Sequence, residues 1–238
     1  MAYMRTAWRT FLPHVDRDIA RDVGLVCAAV VVVGVSFGAI AVSAGLPAWL
    51  PIALSLLVFA GASQFVFVGL LLAGGGVVAA VAAALLVNVR HLPFGFVVGD
   101  LLGSGPVRRL IGSHLMLDES VAFALAQDGV ARRRTAYWAS GIALFVSWNL
   151  AVAVGAAAGT AVSDTGALGL DAAFPAVLLA LIVPSLRDRA TRRAAVAGVL
   201  VALAAAPFVP AGIPVLLALA GVAAGRDPAV VTTRQAGS

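Results

Sequence analysis

The chain has 238 residues, of which 62% are hydrophobic and only 11% are charged. This composition lies far outside that of a water-soluble globular domain, so the sequence predicts an integral membrane protein. The apolar stretches are long and lack the ~10-residue alternation of a barrel strand, which leaves helices as the spanning structure. We therefore expect an all-α polytopic bundle of about seven to eight transmembrane segments, some broken or re-entrant, with no room for a soluble catalytic domain.

The arginines and the single cysteine each argue against a class of binding site. The net charge of +5 comes from arginine, since the chain contains no lysine. The arginines lie between apolar runs rather than along one helix face, and they therefore indicate membrane topology and not nucleic-acid binding. Cys27 is the single cysteine, which excludes an internal disulfide and a thiolate metal cluster.

Apolar runs of candidate membrane segments follow one another along the whole chain. They are about Val23 to Leu46, Leu50 to Ala73, Val77 to Val98, Ile111 to Gln127, Ala136 to Val162, Ala172 to Leu186, Ala194 to Phe208 and Ile213 to Ala224. We predict a cytoplasmic arm over residues 1–22, a single transmembrane domain over 23–225 and a cytoplasmic tail over 226–238.

Arginine clusters set the predicted topology. They occur in the N-terminal arm, at 132–134, at 187–193 and in the C-terminal tail, whereas the loop with Asp164 and Asp171 has none. The positive-inside rule places both termini and these clusters in the cytoplasm. Eight crossings leave Arg108 and Arg109 outside, whereas a re-entrant segment before them brings both inside.

Glycines recur four residues apart in four of the apolar runs. The pairs are Gly34 with Gly38, Gly95 with Gly99, Gly155 with Gly159, and Gly221 with Gly225. This spacing lets two helix backbones approach closely in lipid. We interpret the pairs as packing surfaces inside the bundle, with a docking face for a partner subunit as the alternative.

Polar residues interrupt two neighbouring runs, in the stretches FAGASQF and VNVRHLPFG. Gly61, Ser63 and Gln64 lie in the first stretch, and Asn88, Arg90 and His91 lie in the second. If the runs form a hairpin that turns at Gly74 to Gly76, Gln64 and Asn88 both lie about 15 to 18 Å deep. Pro93 is the proline that most strongly indicates a helix break.

Broken helices near the bilayer midplane bind substrate in many secondary transporters. Arg90 suits the carboxylate of a zwitterionic amino acid, and Gln64 and Asn88 suit its ammonium group. The alternative is that Asn88, Arg90 and His91 mark a helix end at the membrane interface, with Arg90 reaching the headgroups.

Three further polar residues lie inside apolar runs. Asp118 and Glu119 are candidates for proton coupling, with an amphipathic surface helix as the alternative. Asn149 follows Trp148 near the middle of its run, and it is either a substrate-binding residue or a polar contact between helices.

An enzyme is the weaker interpretation. An intramembrane hydrolase would need Ser63 with His91, or Ser113 with His114, and neither pair has the sequence setting of a nucleophile and its base. The three histidines are scattered, and no phosphate-binding Gly-rich loop is present, so we expect no metal and no cofactor. An ion gradient is then the simplest energy source, and a non-transporting assembly subunit is a further alternative.

Several blocks of the sequence also resemble a known family. They are SLLVFAGASQF, LLVNVRHLPFG, LMLDESVAF, YWASGIALFVSWNL and GLDAAFPAVLLALIVPSLRDR. In order and spacing, from about Ser36 to Gly225, they resemble the AzlC family, the large subunits of bacterial branched-chain amino-acid exporters. Family motif positions fall here on Phe59, Ala60, Gly61, Gln64, Asn88, Arg90, His91, Asp118 and Glu119.

The resemblance implies export of valine, leucine and isoleucine across the bacterial inner membrane, with methionine as a further candidate substrate. It also implies a small hydrophobic partner subunit of the AzlD type. The chain departs from the family at one place, because no proline lies between Val30 and Val35, before Phe37 and Gly38. The kink that such a proline would give the first helix is therefore not expected.

Overall fold

The computed structural model describes residues 17–161, 183–209 and 213–225, together with Leu179. Every regular element of these residues is helical, as the composition predicts. The α-helices are α1 (Arg17–Ser43), α2 (Trp49–Leu57), α3 (Gly61–Leu72), α4 (Val77–Asn88), α5 (His91–Val98), α6 (Pro106–His114), α7 (Asp118–Leu125), α8 (Val130–Gly159), α9 (Arg189–Ala205) and α10 (Ile213–Leu217). Short 3-10 helices occupy Gly99–Leu101, Val183–Arg187 and Ala218–Gly225.

Three described stretches are long and apolar enough to cross a membrane. They are Arg17–Ser43, Val77–Leu101 and Val130–Gly159. The chain is therefore a helical membrane protein, while the described residues do not confirm seven to eight crossings. The N-terminal arm before Arg17, most of the run from Ala172 to Leu186, and the tail 226–238 lie outside the described residues.

The chain divides into two compact units. The first contains Met1–Gln64 and Asn88–Thr165, and the second contains Phe65–Val87 and Gly166–Ser238. All of the predicted site residues belong to the first unit.

Helices α1 and α8 pack closely against each other in the first unit, because glycines form their contact. A Cβ built on Gly34 would lie 2.8 Å from the Cβ of Ala151, and one on Gly159 would lie 2.8 Å from the carbonyl oxygen of Ala39. A Cβ on Gly155 would overlap the carbonyl of Val35. The predicted packing role of these glycines is confirmed, and α1 runs unbroken through this contact, as expected without a proline.

The run from Leu50 to Ala73 is broken, as predicted, but three residues earlier than expected. Helix α2 ends at Leu57, residues 58–60 are not helical, and α3 begins at Gly61. Gly61, Ser63 and Gln64 thus form the first turn of α3 rather than the gap itself. Glycine and serine are tolerated there because a helix start leaves its first N–H groups without intrahelical partners.

The run from Ile111 to Gln127 is not one membrane segment. It folds into α6, with 9 residues, and α7, with 8 residues. At ~1.5 Å per residue neither helix can cross a bilayer. Both lie beside a buried cluster that holds this part of the unit together and consists of Val98, Leu101, Leu102, Val121, Ala124 and Tyr137.

Contacts around α6 bring the arginines of two segments to one end of the first unit. The guanidinium of Arg108 lies 5.6 Å from the ring centroid of Trp138. Arg134 Nη2 donates to the carbonyl oxygen of Asp100 at 2.9 Å. Arg108 therefore lies beside the first part of α8, on which Arg134 also lies.

Among the described residues of the second unit, two local packing groups are present. Helix α9 packs on the 3-10 helix Ala218–Gly225, where a Cβ on Gly198 would lie 2.7 Å from the carbonyl oxygen of Ala218. Leu70, Ala80 and Ala83 form a buried cluster of α3 and α4. The predicted turn between these two helices uses Gly74 and Gly76, whose φ angles of 77° and 71° favour glycine.

Asp188 is the N-cap residue of α9. Its side chain accepts a hydrogen bond from the backbone N–H of Thr191 at 2.7 Å. This N-cap holds the pKa of the Asp188 carboxyl below its usual value, because hydrogen bonds from Thr191 favour the charged form.

Candidate functional site

Gln64 crosses the helix break and joins three segments. Its Nε2 donates to the carbonyl oxygen of Leu54 at 3.2 Å, and its Oε1 accepts from the indole Nε1 of Trp148 at 3.1 Å. The side chain is buried, with 1% exposure. Both ends of the amide are therefore used to fix α3 to the end of α2 and to the middle of α8.

Trp148 is the residue against which the start of α3 packs. Its ring stacks on Phe37 of α1, with centroids 5.9 Å apart. A Cβ added to Gly61 would lie 3.3 Å from the same indole, so this position favours glycine. The close contact with Trp148 therefore gives a packing reason for glycine at this predicted site position.

A second polar bridge joins α2 to α8. Ser55 Oγ donates to Asn149 Oδ1 at 2.6 Å, and Asn149 Nδ2 donates to the carbonyl oxygen of Phe145 at 2.8 Å. Ser55 is fully buried. Of the two roles considered for Asn149, the contact between helices is therefore the one formed in this conformation.

His114 binds the end of α2. Its Nε2 lies 2.9 Å from the carbonyl oxygen of Leu56, one of the last carbonyls of that helix. The imidazole packs against Phe145 and Phe59, at centroid distances of 5.6 and 6.2 Å. His114 therefore lies at the helix break. Its place beside Ser113 in the sequence did not indicate this contact.

A different arrangement surrounds the turn between α4 and α5. Val89 and Arg90 separate the two helices, and Pro93 lies four residues after Val89. In a continuous helix the ring of Pro93 would clash with the carbonyl of Val89, and this explains the break. The prediction that Pro93 marks an interruption is confirmed.

Arg90 and Asp118 form an ion pair across this turn. The Nη1 to Oδ2 distance is 2.9 Å, and the two side chains are 40% and 42% exposed. The sequence predicts separate roles for these residues, in substrate binding for Arg90 and in proton coupling for Asp118. The structure brings them together.

Two polar atoms beside Arg90 are buried and have no hydrogen-bond partner. They are Asn88 Oδ1 and His91 Nε2. His91 Nδ1 lies 3.1 Å from the carbonyl oxygen of Asn88, which can only accept a hydrogen bond, so Nδ1 carries the proton. In the neutral ring Nε2 is then an acceptor, so residues 88–91 carry two unused acceptors and one cation.

Asp118 and Glu119 lie in the first turn of α7. The loop before that helix is held by Ser120, whose hydroxyl accepts from the N–H of Leu117 at 2.8 Å and donates to the carbonyl of Leu115 at 3.1 Å. This fixes the position of Asp118, which pairs with Arg90. Glu119 is partly buried.

The structure does not assemble the candidate hydrolase. Ser63 Oγ donates to the carbonyl oxygen of Ala60 at 2.9 Å, in its own helix turn, and no hydrogen bond joins Ser63 to His91. Within the described ranges, no three His, Cys, Asp or Glu side chains gather into a group that could hold a metal ion.

Three residues of these clusters were missed as site residues in the sequence. Ser55, His114 and Ser120 each make a side-chain hydrogen bond described above. Ser55 gave a usable signal, because it is a polar residue within a long apolar run. For His114 and Ser120 the partners are backbone groups, of Leu56 and of Leu115 and Leu117, and the spacing in the sequence does not indicate these contacts.

Residues 25–162 match the model of the AzlC protein family. The match includes both polar clusters, whereas the fifth sequence block, GLDAAFPAVLLALIVPSLRDR, lies beyond it. Neither a curated protein nor a solved structure gives a significant match. The AzlC family is of the transporter type, is associated with branched-chain amino-acid transport and generally works with a small partner subunit. Since the match covers more than half of the chain, the protein belongs to the AzlC family.

Proposed function

We propose that the protein is a secondary transporter that exports valine, leucine, isoleucine and methionine, and that Asn88, Arg90 and His91 bind the amino-acid backbone. One observation carries the proposal. A single turn of the chain presents an accessible guanidinium and two buried acceptors that have no partner.

The position of Arg90 supports an aqueous pathway. It lies near the middle of Val77–Leu101, a stretch long and apolar enough to span the membrane. A charged side chain at such a depth is costly unless it faces a partner, the interior of the bundle or water. Arg90 has a partner in Asp118, yet both side chains remain about 40% exposed. We propose that this exposed surface is open to water or to a polar solute.

The chemistry of the turn is complementary to a zwitterion. A guanidinium binds a carboxylate with charge-assisted hydrogen bonds, in bidentate form where the geometry allows. An ammonium group has three donors and no acceptor, so it suits the free acceptors of Asn88 and His91. Membership of a family associated with branched-chain amino-acid transport supports the choice of branched apolar side chains.

Gly61, Ser63, Gln64 and Asn149 have a supporting role in this proposal. Gly61, Gln64 and Asn149 join the segments on either side of the break to one another through α8, and Ser63 bonds to Ala60 beside the break. We therefore expect these four residues to control conformation more than affinity. Alternating access needs an element that can rearrange, and a helix already interrupted at residues 58–60 suits that purpose.

The remaining parts of the proposal concern energy and assembly. We propose that the proton gradient drives export, with Asp118 and Glu119 as the coupling carboxylates. We further propose that the chain lies in the bacterial inner membrane with both termini in the cytoplasm and works with an AzlD-type small subunit. Co-purification with a small hydrophobic protein encoded beside it tests that partnership.

The decisive experiment is counterflow of labelled leucine in liposomes, with this chain alone and with the small hydrophobic protein. Arg90→Ala should lower counterflow at least about tenfold, since a missing charge-assisted contact costs about 1.5–3 kcal/mol. Arg109→Gln is the matched control, because Arg109 is an exposed arginine outside this turn, and it should stay within about twofold. Normal counterflow by Arg90→Ala, at equal protein level, would overturn the proposed site.

Ligand analogues test the two halves of the zwitterion separately. Leucinamide lacks the carboxylate, so it should compete poorly with leucine, and its weak binding should be insensitive to Arg90→Ala. Isocaproate lacks the ammonium group, and it should be insensitive to Asn88→Ala. If leucinamide competes as well as leucine, Arg90 does not read the carboxylate.

A further inference from the structure

We propose that Asp118 occupies Arg90 in place of the substrate carboxylate when the transporter is empty, so that amino acid and Asp118 compete for one guanidinium. This inference rests on the proposed function. It assigns Asp118 a role in setting affinity and carboxylate selectivity, which neither its place in the sequence nor family membership provides.

The geometry of the pair resembles that of a bound carboxylate. Arg90 Nη1 and Asp118 Oδ2 are 2.9 Å apart, within the range of charge-assisted hydrogen bonds. A side-chain carboxylate and an amino-acid carboxylate present the same two oxygens to a guanidinium. A substrate that binds Arg90 must therefore share the guanidinium with Asp118 or displace it.

Exposure makes the displacement feasible. The two side chains are 40% and 42% exposed, so the pair is reached from outside the fold. Ion pairs with this much exposure are weak, because solvent competes for both charges. A fully buried pair would instead leave an uncompensated buried charge when opened.

Asp118 also has a favourable environment after it leaves Arg90. It is in the first turn of α7, and Leu117 at the N-cap provides no side-chain cap for the first N–H groups. The N-terminus of a helix stabilises negative charge. The released carboxylate can therefore remain charged at the start of α7 without a second cation.

Asn88 and His91 show why the competition is selective. Their unpartnered atoms, Oδ1 and Nε2, are acceptors, and Asp118 offers them no donor. Asp118 thus satisfies Arg90 alone, whereas an amino acid satisfies Arg90 and both acceptors. The internal carboxylate excludes weak anions, which gain only the guanidinium, and yields to a zwitterion.

The test is leucine binding to the purified protein in liposomes. Asp118→Asn removes the competing charge but keeps the side-chain size, and leucine affinity should rise about three- to tenfold. Leucinamide cannot use Arg90, and its affinity should not change. Asp118→Glu restores a competing carboxylate and should return leucine affinity towards that of the wild type.

Two controls keep the result interpretable. Asp128→Asn alters an exposed acid outside the proposed site, and it should leave leucine affinity within about twofold. The thermal midpoint of each variant shows whether it is folded. Unchanged or weaker leucine binding by a folded Asp118→Asn protein, together with impaired binding by Arg90→Ala, overturns this inference alone. Normal leucine binding by Arg90→Ala, or no binding by the wild type, overturns the proposed site as well.

Discussion

The two polar clusters of the first unit differ in how completely their hydrogen bonds are formed. At the helix break, Gln64 is 1% exposed, and both ends of its amide have protein partners. At the turn of Arg90, the charged side chains are about 40% exposed and two neighbouring acceptors have no partner. In the first cluster, hydrogen bonds within the protein offset the cost of polar groups in the membrane. In the second cluster, that cost must be offset by water or a ligand. Polar residues in an apolar helix are therefore not all of one kind.

The largest effect should come from the close contact between α1 and α8. Gly155→Val should abolish folded protein, because any Cβ at this position overlaps the carbonyl of Val35 in α1. Size-exclusion chromatography in detergent measures the outcome. Gly95→Ala is the matched control, since a Cβ there meets nothing within 4 Å, and it should elute as the wild type does. A monodisperse, active Gly155→Val protein would contradict the observed helix packing.

Gln64→Leu should separate stability from binding. It removes both hydrogen bonds and leaves the buried indole N–H of Trp148 unpaired, which should cost about 2 kcal/mol of stability. Thermal unfolding in detergent measures that loss, and leucine affinity of the folded fraction should be close to that of the wild type. A variant of normal stability with weak leucine binding would move Gln64 into the binding site and remove the contrast between the clusters.

Asn88→Ala should weaken leucine binding and leave stability almost unchanged, the opposite of Gln64→Leu. It removes an acceptor that has no protein partner, so the free energy of unfolding should change by no more than about 0.5 kcal/mol. Leucine affinity should fall about tenfold, equivalent to about 1.4 kcal/mol, because the substrate ammonium loses one acceptor. Equilibrium binding and thermal unfolding are measured on the same preparation. Equal affinity for leucine would show that Asn88 Oδ1 does not meet the substrate.

Ser63→Ala should have the smallest effect. The hydroxyl bonds only to the carbonyl of Ala60, within the same helix turn, so its loss should cost less than about 1 kcal/mol. Leucine counterflow should be retained, and an active-site serine probe should label neither protein. Labelling that requires Ser63 would favour the hydrolase interpretation and oppose a structural role for this hydroxyl.

The break at FAGASQF and the interruption at Pro93 were both predictable, because each depends on local chemistry. A Gly-Ala-Ser-Gln sequence in an apolar run and a proline four residues after Val89 weaken the helix wherever the chain goes. The sequence predicts the break at Gly61 to Gln64, three residues after its observed position. Glycine and serine are also favourable at the start of a helix, so their presence does not distinguish a gap from a helix start. The sequence predicts one segment from Ile111 to Gln127, because the hydropathy of this run does not reveal the turn that Ser120 stabilises at Leu115 to Leu117.

The sequence by itself determined that this is a helical membrane protein, that it belongs with the AzlC family, and that Gln64, Arg90 and Asp118 are unusual residents of apolar segments. These conclusions depend on composition, on local motifs and on the cost of polar groups in hydrocarbon. Only the tertiary structure decided which of these residues are satisfied. Gln64 meets Trp148, 84 residues away in the chain, and Arg90 meets Asp118, while Asn88 Oδ1 and His91 Nε2 meet nothing. Whether a polar atom finds a partner depends on distant segments brought beside it by helix packing, and no local pattern contains that information.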